Sequence, residues 1–237
     1  FNSPNVDLAW SASDNYSDYI VSSNAKINYG TGIGLPATWV LWQGGASPTT
    51  PTMGVGGVIG TAFDFNGSTD MIGENYVTGY PNNGIQPTQG SISVWIKPEA
   101  TGSSVGNPFG GTGFNSYWVN NTPLWSAYPS NSFNMGSLYT NANAYNMQLW
   151  NHLVVAIDST TSSNTTTVYV NGSPVQMYDY PSGTGGGSAN SSNSKTAGNL
   201  LANLVLGGQF HPNPQLKYPF EGKIDEFSSW NKVLSQS

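Results

Sequence analysis

The segment WNHLVVAIDSTTSSNTTTVYVNGSPVQMY, residues 150–178, restricts the fold of this chain more tightly than any other stretch. An apolar run, HLVVAID, enters a polar tip, STTSSNT, and returns as TTVYV; Asn171 and Gly172 then turn the chain into PVQMY. Asn-Gly between two apolar runs signals a hairpin, because both residues tolerate positive φ. The pattern predicts a three-strand antiparallel meander. A second strand signal is GSISVWIKP (90–98), where Ile92, Val94 and Ile96 share one parity and Ser91, Ser93, Trp95 and Lys97 the other. A period of two marks a strand with one core face. TAFDFNG (61–67), NLVLGGQF (203–210) and GKIDEFSSW (222–230) are further short runs bounded by turn residues.

Nothing in the composition competes with a β reading. Asn, Ser, Thr and Gly dominate and arginine is absent, while the 29 glycines and 15 prolines supply turns. At 237 residues one large domain spanning 1–237 buries a full core. Many short strands with Gly and Pro punctuation predict an all-β, two-sheet antiparallel sandwich. Two stretches lack a strand pattern and read as long polar loops, near 99–148 and 182–198.

Several function classes drop out. A net charge of −6 with only six lysines leaves no basic stripe for phosphate, so no nucleic-acid partner is expected. The same balance disfavours anionic membranes, and the longest apolar run, HLVVAI (152–157), is too short to insert. With no cysteine, disulfides, thiolate metal sites and thiol catalysis are excluded. The chain begins at Phe1 rather than Met, which points to a removed or longer upstream segment.

Five words carry a resemblance: GTAFDFNGSTDMI (60–72), GSISVWIKPE (90–99), WNHLVVAIDSTTSSNTTTVYVNGSPV (150–175), LVLGGQ (204–209) and FEGKIDEFSSWNKVLS (220–235). In this order and spacing they resemble the laminin-G-like, concanavalin A-like lectin/glucanase jelly-roll superfamily. DLAWSASDNYSDYI (7–20) resembles its first strand and following loop more loosely. The resemblance implies a jelly roll of two curved antiparallel sheets, carbohydrate binding on the concave face or rim loops, a structural calcium ion, and a secreted, cell-surface or phage setting. Fold does not fix function, so the sites are argued separately.

Glycoside hydrolysis needs two carboxyl groups facing each other across a sugar cleft. Glucanases resembling this chain carry Glu-x-Asp-x-x-Glu on one strand, a spacing absent here. Glu221, Asp225 and Glu226 are offset by four and by one, so Asp225 and Glu226 fall on opposite faces of a strand. His152, at a strand start, and His211, in a loop, read as structural or solvated histidines. No catalysis is expected.

Parity along GKIDEFSSW groups Asp225 with Phe227, and Glu226 with Ile224. If Phe227 fills the core, Asp225 points inward and Glu226 outward. A buried carboxylate is costly unless it is hydrogen-bonded or holds a cation. Two answers stay open: loop amides, or a calcium ion taking carboxylate and carbonyl oxygens. For calcium the resemblance implies Asp225 with the neighbourhoods of Asp7 and of Asn66 and Gly67, and Asp70 as a further carboxylate.

Nine aromatic residues lie between Phe109 and Tyr145. Neutral sugars stack on aromatic faces while amides and hydroxyls bond their hydroxyl groups, and NSYWVNNTPLW (115–125) offers both chemistries. The glycan-binding candidates are Tyr117, Trp118, Asn120, Asn121, Trp125 and Tyr128. Trp95, opposite in parity to the core residues of its strand, joins them if its sheet is the concave one. The competing role of each aromatic is as a core or loop anchor. The sequence thus supports a non-catalytic recognition or adhesion domain for glycans or glycoconjugates on a host or cell surface, itself extracellular or on a virion. Its nearly uncharged coat equally suits a decoration or fibre subunit that packs against other subunits of a capsid or surface assembly.

Overall fold

The structure is a computed structural model. It describes residues 6–10, 39–40, 51–74, 88–99, 104–111, 114–115, 117–119, 132–134, 138–140, 144–160, 165–179, 185–186, 189–190, 205–208, 218–230 and 232–234. Every regular element among them is a strand, and every pairing is antiparallel.

One layer is a nine-stranded sheet. Its path runs β15 (Ser173–Pro174), β14 (Thr165–Val170), β13 (Asn151–Asp158), β6 (Gln89–Pro98), β20 (Glu221–Trp230), β4 (Thr61–Asn66) and β3 (Thr52–Gly56). β1 (Val6–Trp10) adds to β20, and β18 (Ala189–Asn190) to β14. The other layer divides in two. Five strands run in the order β2 (Trp39–Val40), β5 (Ile72–Glu74), β19 (Val205–Leu206), β8 (Phe109–Gly111) and β9 (Phe114–Asn115). Six more run β17 (Gly185–Gly186), β16 (Met177–Asp179), β12 (Leu138–Thr140), β11 (Ser132–Asn134), β10 (Tyr117–Val119) and β7 (Ser104–Gly106). Phe109 and Leu206 from the five-stranded part and Met177 from the six-stranded part join one buried cluster with Ile92, Val94, Ile96, Leu153, Val155 and Ile157 of the large sheet. The expected antiparallel jelly-roll sandwich is therefore present. Each of these buried aliphatic side chains contributes about 1.5–3 kcal/mol.

The Asn-Gly turn forms as read: Asn171 and Gly172 have φ of 51° and 79°, and β13 pairs with β14 from Leu153 to Asp158. The third strand of the expected meander is different. Ser173 and Pro174 pair with β14 and the Val175 amide still donates to the Val168 carbonyl at 2.9 Å, but the chain then crosses to the six-stranded sheet as β16. The two stretches read as loops also contain strands, β7 to β12 in one and β17 and β18 in the other. Each is two or three residues long, too short to show a period.

Candidate functional site

β20 holds the acidic word and departs from simple alternation. Asp225 pairs with Trp95 but Ser228 pairs with Ser93, so Glu226 and Phe227 together stand opposite Val94. Glu226, at φ 48°, is the residue that makes this bulge. The bulge sits where β20 exchanges one neighbour for another, β4 along Glu221 to Ile224 and β1 from Phe227 onward. Ile224 and Phe227, three residues apart, consequently both enter the core. Asp225 lies on the opposite face, which corrects the inward placement predicted from parity, and Glu226 is half-buried rather than exposed.

Asp225 is nevertheless only 1% exposed, because the turn between β3 and β4 folds over it. The amides of Val58 and Ile59 donate to its Oδ2 at 2.8 and 3.1 Å, and the amide of Glu226 donates to Oδ1 at 2.9 Å. Gly57 makes the approach possible, since a Cβ there would stand 2.5 Å from Oδ2. Burial pushes the carboxyl above the ordinary aspartate value, and the three amides pull it back only in part.

The other residues of the expected calcium set are elsewhere. Asn66 pairs with Glu221, four residues along β20 from Asp225, roughly 13 Å at strand rise. The Asn66 side chain closes its own loop, with Oδ1 accepting from the amides of Ser68, Thr69 and Asp70, while Asp70 Oδ2 accepts from the Asn66 amide. Gly67 is the left-handed residue of that loop, at φ 69°. Asp7 is the extra residue where the register of β1 shifts on β20. The oxygens thus sit in two places, each facing N–H donors that fit a carboxylate or amide oxygen rather than a cation. Among the described residues no three His, Asp or Glu side chains gather.

Beside Asp225 on the outer face of the large sheet, Trp95 stacks on His152 at 4.8 Å and 29°. His152 Nε2 lies 2.8 Å from Ser93 Oγ, and its backbone exchanges two hydrogen bonds with Asn171, its amide donating to Oδ1 and its carbonyl accepting from the Asn171 amide. One ring face of Trp95 is thus occupied by an imidazole, so the indole has at most one face for a sugar. Burial holds His152 below the ordinary histidine value. A depressed histidine favours the folded chain above the unfolded value of 6.5 and loses that contribution as pH falls. Thermal stability is expected to drop between about pH 7 and pH 5, and His152→Gln to flatten that slope in a melting-temperature series.

Farther along the same face, Glu99 Oε1 lies 2.7 Å from both Lys97 Nζ and Lys223 Nζ, and Asp64 is 3.6 Å from Lys223. Burial raises the Glu99 carboxyl, but the hydrogen bonds and charges of Lys223 and Lys97 outweigh it and leave it below its ordinary value. Two of the six lysines are therefore spent on each other's acidic neighbours.

The six-stranded sheet holds the remaining described candidates, Tyr117 and Trp118, both on β10. Asn120, Asn121, Trp125, Tyr128 and His211 lie outside the described residues. Tyr117 pairs with Asn134, Asn134 with Tyr139, and Tyr139 with Tyr178. These four positions make one cross-strand row on one face of the sheet. Met177, fully buried, and Tyr178, half-buried, are consecutive and so on opposite faces. Trp118 pairs with Phe133 and Gly106, in the alternate register. The register sets the positions of Asn134, Tyr139 and Tyr178 in line with Tyr117, a neighbourhood that the sequence alone does not show. Of the nine aromatics in this region, Phe109 and Tyr145 are core residues.

A family model described as Laminin_G_3, concanavalin A-like lectin/glucanases superfamily, matches residues 72–237. The chain belongs to this superfamily. No curated protein sequence matches it. Among solved structures, domain 4 of AbnA, an extracellular arabinanase from Geobacillus stearothermophilus solved with arabinotriose, is 21% identical with a TM-score of 0.58, over 98% of this chain and 95% of that one. The CBM40 domain of the Ruminococcus gnavus IT-sialidase, solved with sialyllactose, is 16% identical with a TM-score of 0.47, over 74% of this chain and 92% of its own. Trypanosoma rangeli sialidase is 12% identical with a TM-score of 0.44, and the match spans 80% of this chain but 27% of that enzyme. At these identities the likeness to the arabinanase domain is one of fold, and it agrees with the superfamily's sandwich.

Proposed function

We propose that the chain is a non-catalytic carbohydrate-recognition domain that works outside the cell, on a cell or virion surface. The observation that carries the non-catalytic half is the state of the carboxyl groups. A general acid needs a raised value and an open approach to the glycosidic oxygen. Among the described carboxyl groups, Asp225 has the first but is sealed beneath the 57–60 turn, and Glu99 is reachable but held low by two lysines. Carbohydrate as the ligand is supported by the superfamily, whose model matches residues 72–237. Domain 4 of the arabinanase, whose sandwich this chain shares, was solved with arabinotriose, which makes neutral oligosaccharides the first to try.

A glycan array carrying neutral and sialylated oligosaccharides tests the reading. Saturable binding of at least one glycan is the expected result, and an array with no signal would overturn it.

One observation favours a second role, as a subunit packed into a virion or surface assembly. Ile59 and Leu149 are each 60% exposed, on turns whose backbones are pinned by buried Asp225 and Asn151. Rigid apolar tips suit contacts with neighbouring subunits. Light scattering would show ordered multimers in that case.

A further inference from the structure

The chain contains Asn-Gly dipeptides at 66–67, 83–84 and 171–172, and the structure describes the first and the last of them. Asparagine before glycine carries a latent covalent reaction. The glycine nitrogen attacks the asparagine Cγ, its proton leaves with the NH2 group as ammonia, and a succinimide ring closes. Water then adds to either ring carbonyl and returns a proton to the nitrogen, leaving aspartate or isoaspartate. The attack needs a glycine N–H that is not engaged elsewhere, room beside it, and a donor for the charge that develops on Oδ1.

Both described sites offer the donor, but only one offers the nucleophile. At Asn66, Oδ1 accepts from the amides of Ser68, Thr69 and Asp70, while Nδ2 donates to Thr69 Oγ1 at 3.0 Å. The Gly67 amide is spent on the Phe220 carbonyl at 3.0 Å, and the Glu221 side chain stands 2.8 Å from where a Gly67 Cβ would be. At Asn171 the surroundings are open. Residues 171–174 are exposed, the Gly172 amide has no acceptor among the described residues, and a Cβ on Gly172 would meet nothing within 4 Å. The His152 amide donates at 2.8 Å to Asn171 Oδ1, the oxygen that becomes negative when Cγ is attacked. We propose that Asn171 is a self-modifying site, closing on the Gly172 nitrogen and hydrolysing to aspartate and isoaspartate in the folded protein while Asn66 is protected. Isoaspartate would put an extra methylene into the backbone of the two-residue turn that pairs Val170 with Ser173, and either product adds a negative charge beside the His152 amide. The inference is independent of what the domain binds.

Peptide mapping by mass spectrometry tests it, on protein held at mildly alkaline pH both folded and in urea. Each site's rate is taken relative to its own rate in urea, where both dipeptides are open. In the folded protein Asn171 is expected to convert about tenfold or more faster than Asn66 on that scale. Isoaspartate, which only the ring can give, should be among the products. Gly172→Ala crowds the attacking nitrogen and is expected to slow Asn171 about tenfold while leaving Asn66 unchanged. Equal relative rates at the two sites, an Asn171 that survives in the folded protein while the chain in urea converts, aspartate without isoaspartate, or a rate untouched by Gly172→Ala would each overturn the proposal.

Discussion

Asp225→Ala is expected to destabilise the protein by about 3 kcal/mol, read from denaturant unfolding. The carboxylate accepts from three backbone amides, those of Val58, Ile59 and Glu226. An unpaired buried N–H costs about 1–3 kcal/mol, and the two amides in the turn recover part of this by opening to water. Asp225→Asn keeps one oxygen for the turn but presents an NH2 group as its other terminus, so it should fall between alanine and the wild type. The same experiment addresses the calcium that the superfamily resemblance implies. With Asp225 already saturated by amides and Asn66 and Asp70 closing a separate loop, EDTA is expected to leave the melting temperature unchanged; a clear drop that Asp225→Ala abolishes would place a cation at this carboxylate. Acid should not undo the latch by linkage. A folded-state value above the unfolded one means that the folded chain binds this proton more tightly, so the group's contribution improves as pH falls and weakens as it rises.

Gly106→Ala is expected to cost more, about 4 kcal/mol, or to prevent folding at ordinary temperature. Gly106 ends β7 at φ 81°, a conformation that costs an L side chain roughly 1–2 kcal/mol by itself. Steric overlap adds the rest. A Cβ at Gly106 would collide with the backbone carbonyl of Pro219, and the Tyr218 carbonyl, which accepts from the Asn107 amide, stands 2.8 Å from the same point. Both neighbours are backbone, so neither can rotate aside. β7 belongs to the six-stranded part and β8, two residues on, to the five-stranded part, so the glycine sits where the second layer divides. Gly172→Ala makes the control: it shares a positive φ of 79° but its Cβ would meet nothing within 4 Å, so only the backbone term should appear.

Local signals in the sequence were reliable where a tight turn, or a strand long enough to show its own period, carries them. The Asn171 and Gly172 turn and the core parity of Ile92, Val94 and Ile96 both formed as read. The burial of Asp225 was legible too, from an acid inside an apolar strand, but its face was not. A bulge shifts parity by one, and Glu226 gives no sign of it because nothing in a glutamate announces a positive φ. The aromatic region was less legible for another reason. Strands of two or three residues carry no period, and Tyr117 shares a register row with Tyr178, some sixty positions away, only through three successive pairings. Composition announced that aromatics and amides were concentrated there; only the register sorts them into a row.

A recognition domain holds a sugar chain without cleaving it. The direct measurement is mass spectrometry of a neutral oligosaccharide recovered from the protein after prolonged incubation at saturating concentration. The oligosaccharide is expected to be retained by the protein and returned at its original length. Shortened products, or no retention of any oligosaccharide offered, would contradict it.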